Sequence, residues 1–218
     1  MRIAHVSDIH IRNLRYHDEY RRAFDDLYRD LRSVKPDLIV NTGDTVHAKI
    51  QLSPELVQIC SEHVRSVAEI APYHIILGNH DLNLMNPDRQ DAISPIVASI
   101  GANTKHPVCL HKQSGLFCVE ADDTVFSFWV FSLADQENYP RPEMWKREKD
   151  HVNIGLFHGS VMNCVTDLEW KMISAEVDLL MFDGLDFVMM GDIHRQQFFR
   201  DRRIAYAGSL IQQNFGED

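Results

Sequence analysis

"YHIILGNHD", Tyr73 to Asp81, runs from aromatic and apolar residues directly into an amide, an imidazole and a carboxylate. Its first half reads as a β-strand, and Gly78 marks where the strand stops. A strand that served packing alone would end in turn-formers. This one ends in Asn79-His80-Asp81, side chains able to bind a cation or move a proton.

The chain before it sets the fold class. "RIAHVS" (Arg2–Ser7) is β-prone, and Tyr16–Val34 places Tyr20, Phe24, Leu27 and Leu31 at three- and four-residue spacing, which predicts an amphipathic helix. Pro36-Asp37 leads into a second strand, "LIVNTGD". A second helix follows over Ser53–Ile70, with Ser53 suited to the N-cap and Pro54 to the first helical position. Pro72 ends it. Strand, helix, strand, helix, strand predicts βαβ units and a parallel sheet, hence an α/β fold.

Beyond it, Asp88–Ile100 reads as a short helix containing Pro95, and Gly115–Leu133 as two strands about a turn at Asp122-Asp123. Glu137–Asp150 reads as a charged loop with a short helix. "VNIGLFH", "LDFVMMGD" and "RRIAYAGS" read as later strands, the first followed by a helical or irregular stretch. With no repeat or linker, residues 1–218 are expected to form one domain.

The other strands share the polar ending. "SDIH" supplies Asp8 and His10, "NTGDTVH" Asp44 and His47, "GLFHG" His158, and "MMGDIH" Asp192 and His194. One aspartate after a strand is ordinarily a turn or cap residue. Five such endings at equivalent places on one sheet need a common cause, and the carboxyl edge of an α/β sheet is where ligands bind. Asp, His and Asn without Cys form an O/N donor set that suits Mn²⁺, Fe or Zn better than soft copper. So many donors exceed one ion, and a two-metal site with a shared carboxylate fits. Such pairs clamp both oxygens of a phosphoryl displacement and acidify bound water. No Ser/His/Asp nucleophile pattern, P-loop or dinucleotide fingerprint competes.

Composition bounds the rest. Against 22 Lys and Arg stand 32 Asp and Glu, a net charge of −10. The chain lacks the general positive field that draws proteins to nucleic acid, although metal ions could supply positive charge locally. Cys60, Cys109, Cys118 and Cys164 show no C-x-x-C spacing and read as reduced core thiols. No long apolar run or leader is visible, so a soluble cytoplasmic protein with no membrane partner is expected, in the host cytoplasm if phage-encoded. His5, His17, His63, His74, His106, His111 and His151 read as surface or satisfied core residues. Trp129, Trp145 and Trp170 read as core, and Arg195 as solvated.

Taken in order, D-x-H, G-D-x-x-H, G-N-H-D, G-x-x-H-G and G-x-x-H resemble the calcineurin-like metallophosphoesterases, from Asp8 to His194. "SDIHIR", "GDTVH", "HIILGNHD", "GDIHRQQ" and "IAYAGSLIQQNFGED" are most similar to SbcD-type DNA repair nucleases. The resemblance implies a four-layer αββα sandwich and two divalent metal ions, Mn²⁺ first, with Mg²⁺, Fe or Zn²⁺ as alternatives. It implies that Asp8, His10 and His194 hold one ion and that Asp44 bridges. Asn79, His158 and Asp192 would hold the other. His80 would face the phosphate with Asp81 orienting it, and His47 would position the DNA backbone.

The implied activity is hydrolysis of DNA phosphodiesters, as 3′-to-5′ exonuclease and single-strand endonuclease, in repair or recombination. An SbcC-like ATPase partner and a homodimer come with it. Such nucleases continue past the final segment into DNA-capping and ATPase-binding regions, which are expected to be absent from this chain. Phosphomonoesterases and cyclic-nucleotide phosphodiesterases use the same motifs. A catalytically weakened, metal-stabilised module for an ATPase is a third reading, recommended by Asp192 alone.

At that position the superfamily usually has G-H-x-H, where this chain has Gly191-Asp192-Ile193-His194. Two divalent ions against Asp8, Asp44 and Asp192 leave one positive charge, and a neutral histidine at 192 would leave two. The more anionic set predicts a preference for Mn²⁺ or Mg²⁺ over Zn²⁺.

Overall fold

A computed structural model describes residues 1–48, 51–86, 89–121, 123–145, 148–166, 169–174 and 177–213. Four strands build the first sheet: β1 (Ile3–Val6), β2 (Leu38–Asn41), β3 (Tyr73–Ile76) and β4 (Val108–His111). They lie in that order and all run parallel. Helix α1 (His17–Val34) crosses from β1 to β2, and α2 (Pro54–Ala68) from β2 to β3. Ser53 caps α2 as its type suggests, its hydroxyl accepting from the Leu56 amide at 3.2 Å.

Alternation along the strands decides what each face covers. Ile39, Tyr73 and Ile75 point outward and pack with Tyr20, Phe24, Tyr28 and Leu31 of α1 and with Ile59, Cys60, Val64 and Val67 of α2. Leu27, also on the expected stripe, is only partly buried. Leu38, Val40 and Ile76 point the other way, onto Phe128, Val130, Ile154 and Leu156 of the second sheet.

That second sheet has six strands: β5 (Gly115–Ala121), β6 (Thr124–Phe131), β7 (His151–His158), β8 (Phe187–Gly191), β9 (Gln197–Phe199) and β10 (Ile204–Tyr206). Their order is β5-β6-β7-β8-β10-β9. The inner four run parallel, and β5 and β9 pair antiparallel at the edges. Trp129, Phe131, Phe157, Met190 and Tyr206 on its outer face pack with Trp145, Val161, Cys164 and Phe182. The chain is therefore the expected two-sheet α/β sandwich. Its fourth layer, among the described residues, is made of irregular chain and the 3₁₀ turns Gln136–Asn138, Pro142–Met144 and Leu179–Phe182.

Several expectations are corrected. The five strands with polar ends do not share one sheet. β1, β2 and β3 belong to the first, β7 and β8 to the second, because β4 closes the first sheet and the β5–β6 hairpin opens the next. The helix expected from Asp88 begins at Ser94 (α3, Ser94–Ile100), since Pro95 is tolerated only in a first turn. The short helix expected within Glu137–Asp150 is two 3₁₀ turns. Trp170 is 73% exposed on the irregular chain after β7, while Trp129 and Trp145 are core. Cys118, on edge strand β5, is exposed and Cys109 half-buried; only Cys60 and Cys164 are core thiols, and all four are free. Asp88, Asp122, Lys146, Arg147 and the final segment from Asn214 lie outside the described residues.

Candidate metal centre

The loops that follow the strands carry the donors, apart from His158 at the end of β7, and four of them have a backbone conformation that side chains seldom adopt. Asp8 (φ 51°), His10 (φ 51°), Asp44 (φ 55°) and Asp192 (φ 96°) all have positive φ, which costs about 1–3 kcal/mol at each residue. Cross-loop hydrogen bonds hold them there. The Asp8 amide donates to the Gly43 carbonyl at 3.1 Å and the His10 amide to the Asp44 carbonyl at 2.9 Å. The Asp192 amide donates to both Asp8 carboxylate oxygens, at 3.1 and 3.2 Å, and so ties the second sheet to the first. Gly78 and Gly191 are required by this closeness. A Cβ at 78 would overlap Asp44 Oδ1 and its amide nitrogen, and one at 191 would overlap Ser7 Oγ and the Thr42 carbonyl.

Two overlapping groups of donors result. Asp8, His10 and His194 form the first, their ligand atoms all within 4.8 Å of one another. His10 Nε2 stands 3.0 Å from His194 Nε2 and 3.4 Å from Asp44 Oδ2. Asp8, Asp44 and His158 form the second. There His158 Nε2 lies 3.4 Å from Asp44 Oδ1, 3.4 Å from Asn79 Oδ1 and 3.9 Å from Asp192 Oδ1. Its other nitrogen, Nδ1, donates to the Thr42 carbonyl at 2.7 Å. A carbonyl only accepts, so the proton sits on Nδ1 and Nε2 presents its lone pair to the donor group. The seven residues expected as ligands thus converge, with Asp44 between the two groups.

The surrounding polar residues divide their work differently from expectation. His80 Nδ1 donates to the His47 carbonyl at 2.8 Å, and the His80 amide to Asp44 Oδ1 at 2.8 Å. Asp81 does not orient His80. Fully buried, its carboxylate accepts from the amides of Gly78 (3.0 Å), Val46 (3.1 Å) and Thr45 (3.3 Å), clipping the loop after β3 to the loop after β2. The His47 ring borders His10, with the two Nδ1 atoms 3.4 Å apart. A cleft of about 260 Å³ opens above the centre, lined by His10, Arg12, Asp44, His47, His80, Asp192, His194 and Gln213. Arg12 and Gln213 were not foreseen. Arg12 could have been, because it lies two residues beyond His10 in "DIHIR"; Gln213 carried no comparable signal.

The electrostatics fit divalent cations. Burial raises Asp8 to about 6, with Asp44 adding repulsion, and burial also raises Asp192. Negative charge in these places is therefore short of countercharge. Burial would raise Asp44 too, but His158 and His10 outweigh it and hold the carboxyl below its usual range. Burial would lower His158, yet the Asp44 and Asp8 carboxylates prevail and lift it to about 10, so a proton and a cation compete for its Nε2. Burial lowers His10 to about 3 against the pull of Asp44, which keeps it neutral, the form a metal ligand must have. Oxygen and imidazole donors at these spacings, with the His158 tautomer fixed from outside, suit a borderline or hard divalent ion. Two further groups are His10 with His47 and His80, at the cleft, and Glu148, Asp150 and His151, at the surface.

The chain is 40% identical over 225 aligned positions to "Uncharacterized protein R555" of Acanthamoeba polyphaga mimivirus, an alignment covering 99% of this chain and 16% of that protein. Among solved structures, it resembles the Pseudomonas putida nuclease MPE (16% identity, TM-score 0.38, covering 73% of this chain and 62% of that one). It also resembles Yfce, a phosphoesterase from E. coli (14% identity, TM-score 0.32, covering 82% and 78%). The family model described as calcineurin-like phosphoesterase matches residues 1–196, a span that contains every donor of both groups, and the chain belongs to that family.

Proposed function

We propose that this chain hydrolyses phosphodiester bonds of DNA, as an SbcD-like nuclease. The observation that carries the chemistry is the juxtaposition of two donor groups that share Asp8 and meet at Asp44 with an imidazole, His80, that belongs to neither and lines the same cleft. Asp8, His10 and His194 would hold one ion, Asp44 both, and Asn79, His158 and Asp192 the other. Bound there, two divalent ions supply positive charge to the phosphate and acidify water.

The chain's own residues do the rest. His80 keeps its Nδ1 proton on the His47 carbonyl, so Nε2 is the nitrogen that exchanges a proton. When protonated, it gives that proton to the departing sugar oxygen as the P–O bond breaks. Asp81 fixes the two loops that set the distance between His80 and Asp44. DNA as substrate, the ATPase partner and a homodimer are proposed from the sequence resemblance.

The test is Mn²⁺-dependent degradation of end-labelled duplex and single-stranded DNA, wild type beside His80→Asn. Cleavage that the substitution removes, with two ions still bound, supports the reading, and the order in which label is lost gives the polarity. A second reading, a phosphomonoesterase, is favoured by the net charge of −10, which repels a polyanion. Hydrolysis of p-nitrophenyl phosphate without cleavage of DNA would select it. Two bound ions with no hydrolysis of either would point to the binding module.

A further inference from the structure

Arg12 enters the cleft from the loop after β1 and is half-buried there. Its guanidinium is held on one edge. Nε donates to Gln213 Oε1 at 3.1 Å, and Nη1 lies 3.3 Å from His47 Nε2. Gln213 is itself braced, its amide donating to the Ile211 and Ile9 carbonyls at 3.0 and 3.3 Å. Among the described residues, Arg21, Arg29, Arg195 and Arg200 pair with carboxylates, and Arg12 does not. An arginine carries five N–H donors and a permanent charge. Here that charge stands beside a candidate metal centre, held by Gln213, His47 and the Tyr20 hydroxyl and facing no carboxylate among the described residues. Arg12 and Gln213 also form the wall shared with a neighbouring cleft of about 440 Å³, bordered by Tyr16, Glu19 and Ile211.

Proton accounting points the same way. With Nη1 donating to His47 Nε2, His47 carries its proton on Nδ1 and offers it to His10 Nδ1. His10 acting as a ligand through Nε2 must carry its own proton on Nδ1. His47 then takes the other tautomer, and its Nε2–H confronts an Arg12 N–H. Two donors meeting at that distance are satisfied together by one shared acceptor, and a phosphate oxygen is the acceptor this site is built to receive.

We propose that Arg12 is a substrate-binding residue of this cleft, its guanidinium and the His47 ring together taking a non-bridging oxygen of the phosphoester. Gln213 is its positioning residue. This rests on the phosphoesterase reading and adds a recognition element that is not itself a metal ligand. A fixed positive charge there also offsets, at short range, the net negative charge of the chain.

The experiment is calorimetric titration of the Mn²⁺-loaded full chain with inorganic phosphate, for wild type, Arg12→Gln and Arg12→Lys, with metal content measured on each. Arg12→Gln is expected to retain two ions and weaken phosphate binding tenfold or more. Arg12→Lys keeps the charge but loses the fork, so it should recover only part of the affinity. Unchanged affinity in Arg12→Gln would overturn the proposal, leaving Arg12 a brace for His47. So would loss of metal in that variant, or failure of the wild type to bind phosphate. Arg12-dependent phosphate binding in a protein that cleaves no DNA would uphold the anchor while refuting the nuclease reading.

Discussion

Asp81 and His80 are neighbours in sequence and opposites in role. Both stood out in "GNHD", and nothing in the string distinguishes the cleft-facing ring from the buried carboxylate that three amides enclose. Residue types at strand ends were legible because chemistry limits them; directions were not, because they depend on positive-φ turns that only the folded loops impose. His80→Asn, with two ions retained, is expected to lower kcat for phosphodiester hydrolysis by about 10²–10⁴, the usual worth of a general acid. Asp192 stands 3.9 Å from His158 Nε2, within reach of the second donor group. Asp192→His should raise Zn²⁺-supported activity relative to Mn²⁺. Identical metal preference in both proteins would show that residue 192 does not set it.

At the scale of elements, β1, β2 and β3 and the two long helices could be read because their apolar periodicity is strong and their ends are punctuated by proline, glycine and serine. β4 and β9 could not. "VCLH" and "QFF" are short, as β1 to β3 are, but no donor motif follows them to mark a strand end, and their strand character comes from the neighbours they pair with. The loops between elements are held by a few contacts, of which the Asp81 clip is the most concentrated. Asp81→Asn turns one acceptor oxygen into an amide that confronts backbone donors. It is expected to cost about 2 kcal/mol, or roughly 4–8 °C in Tm for a chain this long. A melt unchanged within a degree would mean that the clip carries no stability.

For the whole molecule, acid should be more damaging than the acidic composition suggests. Burial lowers His63 to about 3, and His5, His74 and His111 to about 4. Folded, these rings resist protonation; unfolded, they protonate near 6.5. The unfolded chain therefore binds more protons below that pH. The stability these neutral rings contribute is present above pH 6.5 and is lost as pH falls toward 4, by at most about 1.4 kcal/mol per unit for each ring. A denaturant midpoint independent of pH between 7 and 4.5 would contradict this. The metal centre should act in the opposite sense. Ions bound only by the folded chain add about 2.7 kcal/mol at a hundredfold excess over Kd, so a chelator should lower Tm measurably. The two-sheet division came from the family resemblance and not from periodicity, and which strand joins which sheet was beyond the reach of the sequence, since strand pairing is a property of pairs and no local pattern records it.

The hydrogen bonds from the Asp192 amide to Asp8 join positions 184 residues apart. A ribosome adding about 5–20 residues per second exposes the first half of the donor set on the order of ten seconds before the second exists. During that interval Asp8, His10, Asp44 and Asn79 are offered to the cell without His158, Asp192 or His194. The full donor set is therefore assembled only late in synthesis, and an ion can be held by all of it only after that. Metal identity in a purified sample is then set by the ions available after synthesis, and growth medium and dialysis buffer become determinants of measured activity.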